Sequence, residues 1–213
     1  QTIKSLDAHQ VDLFHVDCND DLSVFDDIIA LREISNIPVD LHIITPTPSK
    51  YYQRLREVPV EYVTFQLEPL EEPLIWPSDL TAAKGVAITT PTAVDAFDAH
   101  SSCDFILIMA TVPGQSGGVF DKENFKKIRT FRKRYPNKSI HVDGGVNGEV
   151  SFILRNMGVS TAVSGSYLFK GPSIGHALMN LTTRNHASTY QIADFMMPIE
   201  ECPVVHIASC STE

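Results

Sequence analysis

The feature that most constrains this chain is a repeated alternation. Short runs rich in β-branched and apolar residues each end at a polar or glycine-rich stretch, and segments of helical period lie between them. The runs are 13–17, 39–44, 62–67, 85–88, 105–110, 139–143 and 161–164. Helical periodicity falls on 24–35, 93–99, 122–135 and 149–157. Near-continuous apolar strands alternating with amphipathic helices predict parallel strands covered on both faces. Seven such runs within one chain of 213 residues suit a (β/α) barrel better than a doubly wound sheet. The length fits a single domain over 1–213, with strands and helices in 1–181 and a tail in 182–213. Asp121 is a candidate helix cap, Pro136 and Gly158 are candidate stops, and Pro69, Pro73 and Pro77 stiffen a loop that holds Trp76.

Composition removes several functions. A formal net charge of −9 repels a nucleic-acid backbone or an anionic membrane. The basic cluster Lys126, Lys127, Arg129, Arg132, Lys133 and Arg134 has helical spacing and is expected to be a solvated helix face. No apolar run approaches the roughly 18–20 residues that cross a bilayer, and no signal-peptide pattern opens the sequence. Cys18, Cys103, Cys202 and Cys210 lie far apart, as expected of reduced thiols in a cytoplasmic protein.

In a parallel barrel the strand carboxyl ends converge on one face, where chemistry gathers. Here those ends carry His15 and Asp17, then His42, then Asp143. His15 and Asp17 are two apart on one strand and so share a side. Two imidazoles and two carboxylates at one barrel mouth are a donor set for a divalent metal such as zinc. The stretch 113–118, which contains Gly117, and the pairs Gly144–Gly145 and Gly165–Ser166 follow successive strands. There, backbone N–H groups can approach a phosphate.

On these residues the chain resembles the ribulose-phosphate 3-epimerase family. The matching pieces are FHVDCND (14–20), VDLHII (39–44), GVAITTPT (85–92), ILIMATVPGQSGGVF (106–120), HVDGGVN (141–147) and VSGSYLF (163–169), in family order. The resemblance implies a (β/α)8 TIM barrel that epimerises a ketose phosphate at C3 through an enediolate. D-ribulose 5-phosphate and D-xylulose 5-phosphate are its default substrate pair. It implies His15, Asp17, His42 and Asp143 as ligands of a divalent metal, zinc first, with iron, manganese or cobalt as alternatives. Asp17 and Asp143 would double as the acid/base pair, since inverting a centre needs a proton to leave one face and arrive on the other. Gly117, Gly144, Gly145, Gly165 and Ser166 would hold the phosphate. The expected partner is a small sugar phosphate, with a homo-oligomer as the family's habit.

The sequence departs from the family pattern at several positions. Asn19 and Ile44 stand where methionines are expected, Asp21 where glycine is, Gln66 where a histidine is and Thr89 where an asparagine is. These changes keep open a silent or altered-specificity module that binds a sugar phosphate. A barrel decarboxylase is disfavoured because Asp17 to Asp20 lacks the lysine of an Asp-x-Lys-x-x-Asp array, and an aldolase because no strand ends in lysine. The family's first strand also precedes its His-x-Asp pair, whereas only 14 residues precede His15, and 2–9 read as the helix after that strand. Residues 204–208 read as a strand and IASCS resembles the family's first-strand ending. The tail is therefore expected to supply the missing strand, by circular permutation or by exchange with a neighbour, bringing Ser209 or Ser211 to the substrate.

Overall fold

The computed structural model describes residues 2–111, 117–183, 194 and 196. Seven parallel strands form one sheet in sequence order: β1 (Phe14–Asn19), β2 (Val39–Ile44), β3 (Tyr62–Gln66), β4 (Ala83–Thr89), β5 (Phe105–Met109), β6 (Ser139–Asp143) and β7 (Thr161–Val163). The helices are α1 (Thr2–Ala8), α2 (Val24–Arg32), α3 (Tyr52–Glu57), α4 (Glu123–Arg134), α5 (Gly148–Asn156), α6 (Ser166–Lys170) and α7 (Ile174–Thr182). Every strand pairs with its sequence neighbour, so each crossover is local and the sheet curls as a barrel does.

The strand period of two sorts the side chains. Leu41, Ile43, Val63 and Phe65 face outward and pack with Phe25, Ile28 and Leu55 of the helices. Ile106, Ile108, Ile140 and Val142 pack in the same way with Phe125, Ile128 and Phe131. Alternate residues face inward, where Ala87, Leu107 and Met109 form a separate buried cluster. At the inner floor the Phe105 ring stacks on His141 at 4.1 Å. Gly85 makes room for it, since a Cβ there would lie 2.3 Å from the Phe105 ring.

Among the described residues, β1 and β7 are the outer strands of the sheet. Both border a cavity of about 1070 Å³ whose lining includes Phe14, His15, Ala162, Leu154, Leu178 and Leu181. The expected tail strand, with Ser209 and Ser211, lies outside the described residues.

Some local expectations change. The segment expected to be helical at 93–99 is a 3-10 turn over Val94–His100. Asp121 does not occupy the cap position, which is Lys122, although its Oδ1 accepts from the Glu123 N–H at 3.0 Å. The basic cluster is not uniformly solvated. Lys126, Lys133 and Arg134 are exposed, but Lys127 is only 9% exposed and donates to the carbonyls of Thr89 and Thr92. Arg132 donates to the carbonyls of Pro136, Lys138 and Gly158, closing the end of α4. Cys18 and Cys103 are buried free thiols, and no helix among the described residues is long and apolar enough to cross a membrane.

Candidate active site

Strands β1 and β2 pair with Asp17 opposite His42 and His15 opposite Asp40, all four on the inner face. One ligand atom from each of His15, Asp17 and His42 falls within 4.8 Å of the others. The Oδ1 atom of Asp17 lies 3.4 Å from His15 Nε2 and 3.0 Å from His42 Nδ1.

The outer nitrogens fix what those inner atoms can be. His15 Nδ1 lies 2.9 Å from the carboxylate of Asp40, a residue 1% exposed that can only accept. His15 Nδ1 therefore carries the proton in the neutral ring, and its Nε2 is bare. That Nε2 is buried and has no hydrogen-bond partner. His42 Nε2 faces the Gln66 Oε1 at 2.9 Å, so in the neutral ring its Nδ1 is bare as well. Both bare nitrogens then confront the Asp17 carboxylate, lone pair against lone pair. Only a cation between them, proton or metal, resolves that conflict. Buried donors of this kind, with their outer N–H groups held by protein acceptors, are the donor set of a divalent metal, and these residues fit one.

The electrostatics agree. Burial opposes charge on His15, yet the carboxylates of Asp17 and Asp40, with Asp143 beyond, push its pKa up to about 10. Burial likewise works against ionised Asp17, but the neighbouring rings of His15 and His42 hold it well below the usual carboxylate range. Asp143, at the end of β6, lies outside the cluster of three but close enough to feel all of its members. Burial raises its pKa, and the charge of Asp17 adds to the rise. The two carboxyls are thus pushed in opposite directions.

The glycines at the strand ends serve packing as well as any ligand. Gly144 has φ +111 and a Cβ there would lie 2.4 Å from the Thr111 hydroxyl. Gly145 has φ +66, and its Cβ would lie 2.2 Å from the Phe120 amide nitrogen. Both therefore let the loop after β6 press against the loop after β5. Gly165, by contrast, has open space beside it and precedes Ser166, the first residue of α6. The Ser164 hydroxyl donates to the Val146 carbonyl at 2.9 Å, which ties the loops after β6 and β7 together. Gly117 has φ +88, and the Lys170 amine lies 3.1 Å from where its Cβ would be.

Two residues of this site escaped the sequence reading: Asp40 and the acceptor role of Gln66. The signal was present, because Asp40 and Gln66 have the inward parity of their strands in VDLHII and YVTFQ.

Comparison with known proteins adds the lineage. The profile of the "Ribulose-phosphate 3 epimerase family" matches residues 1–169. The chain is 27% identical over 164 residues to the ribulose-phosphate 3-epimerase, cytoplasmic isoform, of Oryza sativa subsp. japonica, covering 72% of this chain and 71% of that protein. It is 26% identical over 194 residues to the ribulose-phosphate 3-epimerase of Synechocystis, covering 84% of each. Among solved structures it resembles orotidine 5'-phosphate decarboxylase from Pyrococcus horikoshii OT3, with TM-score 0.64, 13% identity and coverage of 84% and 89%. It also resembles 3-hexulose-6-phosphate synthase from Salmonella typhimurium, with TM-score 0.62, 12% identity and coverage of 84% and 90%. At those identities the two structures share the barrel architecture alone.

Proposed function

Because the chain belongs to the ribulose-phosphate 3-epimerase family, we propose that it is a metal-dependent epimerase acting at C3 of a ketose 5-phosphate, with D-ribulose and D-xylulose 5-phosphate as the pair. The observation that carries this is the convergence of His15 Nε2 and His42 Nδ1 on the Asp17 carboxylate, with the opposite ring nitrogens held by Asp40 and Gln66. His15, Asp17, His42 and Asp143 would hold the metal, zinc by preference for two nitrogens and carboxylates. When bound, the metal polarises the oxygens at C2 and C3 and so stabilises the charge that develops when the C3 proton leaves.

Asp17 and Asp143 carry the proton chemistry. One takes the proton from one face of C3 and the other returns a proton to the opposite face. The two carboxyls sit in different surroundings: His15 and His42 hold Asp17 as the anion, whereas burial works against charge on Asp143. Backbone N–H groups at Gly144, Gly145, Gly165 and Ser166 would anchor the phosphate, with Gly117 on the neighbouring loop. Remote binding energy then positions C3 between the carboxyls.

The test is interconversion of the two pentulose phosphates by chelator-treated chain, before and after zinc is restored. Activity lost on chelation and recovered with zinc is expected, together with failure of the unphosphorylated pentulose to turn over. Full activity after metal removal would overturn the metal reading, and equal turnover of the unphosphorylated sugar would overturn the phosphate site.

A further inference from the structure

The metal ligand His42 is 0% exposed and is held from behind by a chain of hydrogen bonds that leads away from the metal. Its Nε2 meets the Gln66 Oε1 at 2.9 Å, and the Gln66 amide nitrogen donates to a carboxylate oxygen of Glu68. The other Glu68 oxygen accepts from the Thr89 N–H at 2.8 Å, from the Thr89 hydroxyl at 2.8 Å and from the Thr92 hydroxyl. Lys127 then binds the carbonyls of Thr89 and Thr92 from α4. Glu68 is therefore fixed at the carboxyl end of the sheet by backbone and side chain together.

Polarity runs one way along this chain. A carboxylate only accepts, so Glu68 compels the Gln66 amide to present NH2 to it and its carbonyl to His42. A carbonyl only accepts too, so Gln66 compels His42 to place its proton on Nε2 and leave Nδ1 bare. Without that constraint the neutral ring could equally put its proton on Nδ1 and donate to Asp17, which is 3.0 Å away, and would then be unable to ligate.

We propose that Gln66 and Glu68 act as positioning residues that set the tautomer of His42, holding its Nδ1 lone pair toward the metal. The proposal rests on the metal site argued above and deepens it. It also defines which residues can replace Gln66. The position needs one acceptor toward His42 and one donor toward Glu68. Histidine has both, on its two ring nitrogens, whereas methionine has the length of glutamine and neither. A residue that merely filled space would be replaced better by methionine than by histidine.

The experiment measures zinc affinity of the chelator-stripped full chain by competition with a chromophoric chelator, for wild type, Gln66→Met and Gln66→His. Thermal melts of the metal-free variants serve as the check on folding. Loss of an outer-shell partner typically weakens a metal site about 10–100-fold, and that loss is expected for Gln66→Met. Gln66→His is expected to stay within a few-fold of wild type. Wild-type affinity in Gln66→Met, or a loss in Gln66→His as large as in Gln66→Met, overturns the relay while leaving the metal site standing. Wild type that takes up no zinc overturns both. A second measurement needs no variant: nitrogen-15 NMR of the zinc-loaded chain should find the His42 proton on Nε2. A proton on Nδ1 overturns the proposal.

Discussion

Replacing Lys127 by methionine keeps the aliphatic stem and removes only the ammonium, which makes it a clean probe of how α4 secures the sheet's carboxyl end. Lys127 Nζ donates to the Thr89 carbonyl at 2.6 Å and to the Thr92 carbonyl. Thr89 O would keep the Thr92 N–H at 3.2 Å as a partner, so the main loss falls on Thr92 O. An acceptor stranded in this way costs about 1–3 kcal/mol, and a hydrogen bond to a charged donor contributes about 1.5–3 kcal/mol. Against this, burial opposes the charge on Lys127, and methionine is relieved of that cost. The balance is a destabilisation of about 2–4 kcal/mol, read as a lower urea midpoint at unchanged slope. Lys126 is exposed on the same helix, and Lys126→Met should stay within about 0.5 kcal/mol of wild type. If the two variants melt alike, Lys127 contributes no more than a solvated lysine and the reasoning is refuted.

Gly145→Ala should lower stability by about 2 kcal/mol or more, because an L-residue is strained at φ +66 and its Cβ would strike the Phe120 backbone; an unchanged thermal midpoint would contradict this. Asp40→Leu releases the His15 ring and should weaken zinc binding about 10–100-fold, whereas unchanged affinity in the competition assay would show that His15 needs no orienting partner. If residues 204–208 fill the seam between β1 and β7, deleting 201–213 should lower the melting temperature and raise binding of a hydrophobic dye. A truncated chain as stable as the parent would assign the tail no place in the barrel.

Much of the fold was legible because the parallel strands announce themselves twice, by apolar runs and by what ends them. The runs 39–44 and 139–143 coincide with β2 and β6, and the others differ from their strands by one or two residues at an end. His15, Asp17 and His42 converge because a period of two and a parallel register leave their side chains nowhere else to point. What escaped depends on register between elements. Lys127 sits among five other basic residues of one helix, and only the position of the 89–92 loop over α4 distinguishes it. Gln66 departs from the family pattern, in which a histidine is expected. The structure gives it an acceptor toward His42 and a donor toward Glu68, the same polarity a histidine would provide. In the sequence, Gly144 and Gly145 show only that an anion could approach there, while the loops they let pack become visible once β5 and β6 are paired.

The most direct test of the account is deuterium incorporation at C3 of D-ribulose 5-phosphate in heavy water, using zinc-loaded chain and an Asp143→Asn control. The two-carboxylate mechanism predicts exchange with inversion by the wild type, and in the control a loss of about 100-fold or more in conversion to D-xylulose 5-phosphate. A metal-loaded wild type that exchanges nothing, or an Asp143→Asn chain that forms D-xylulose 5-phosphate at the wild-type rate, would contradict it.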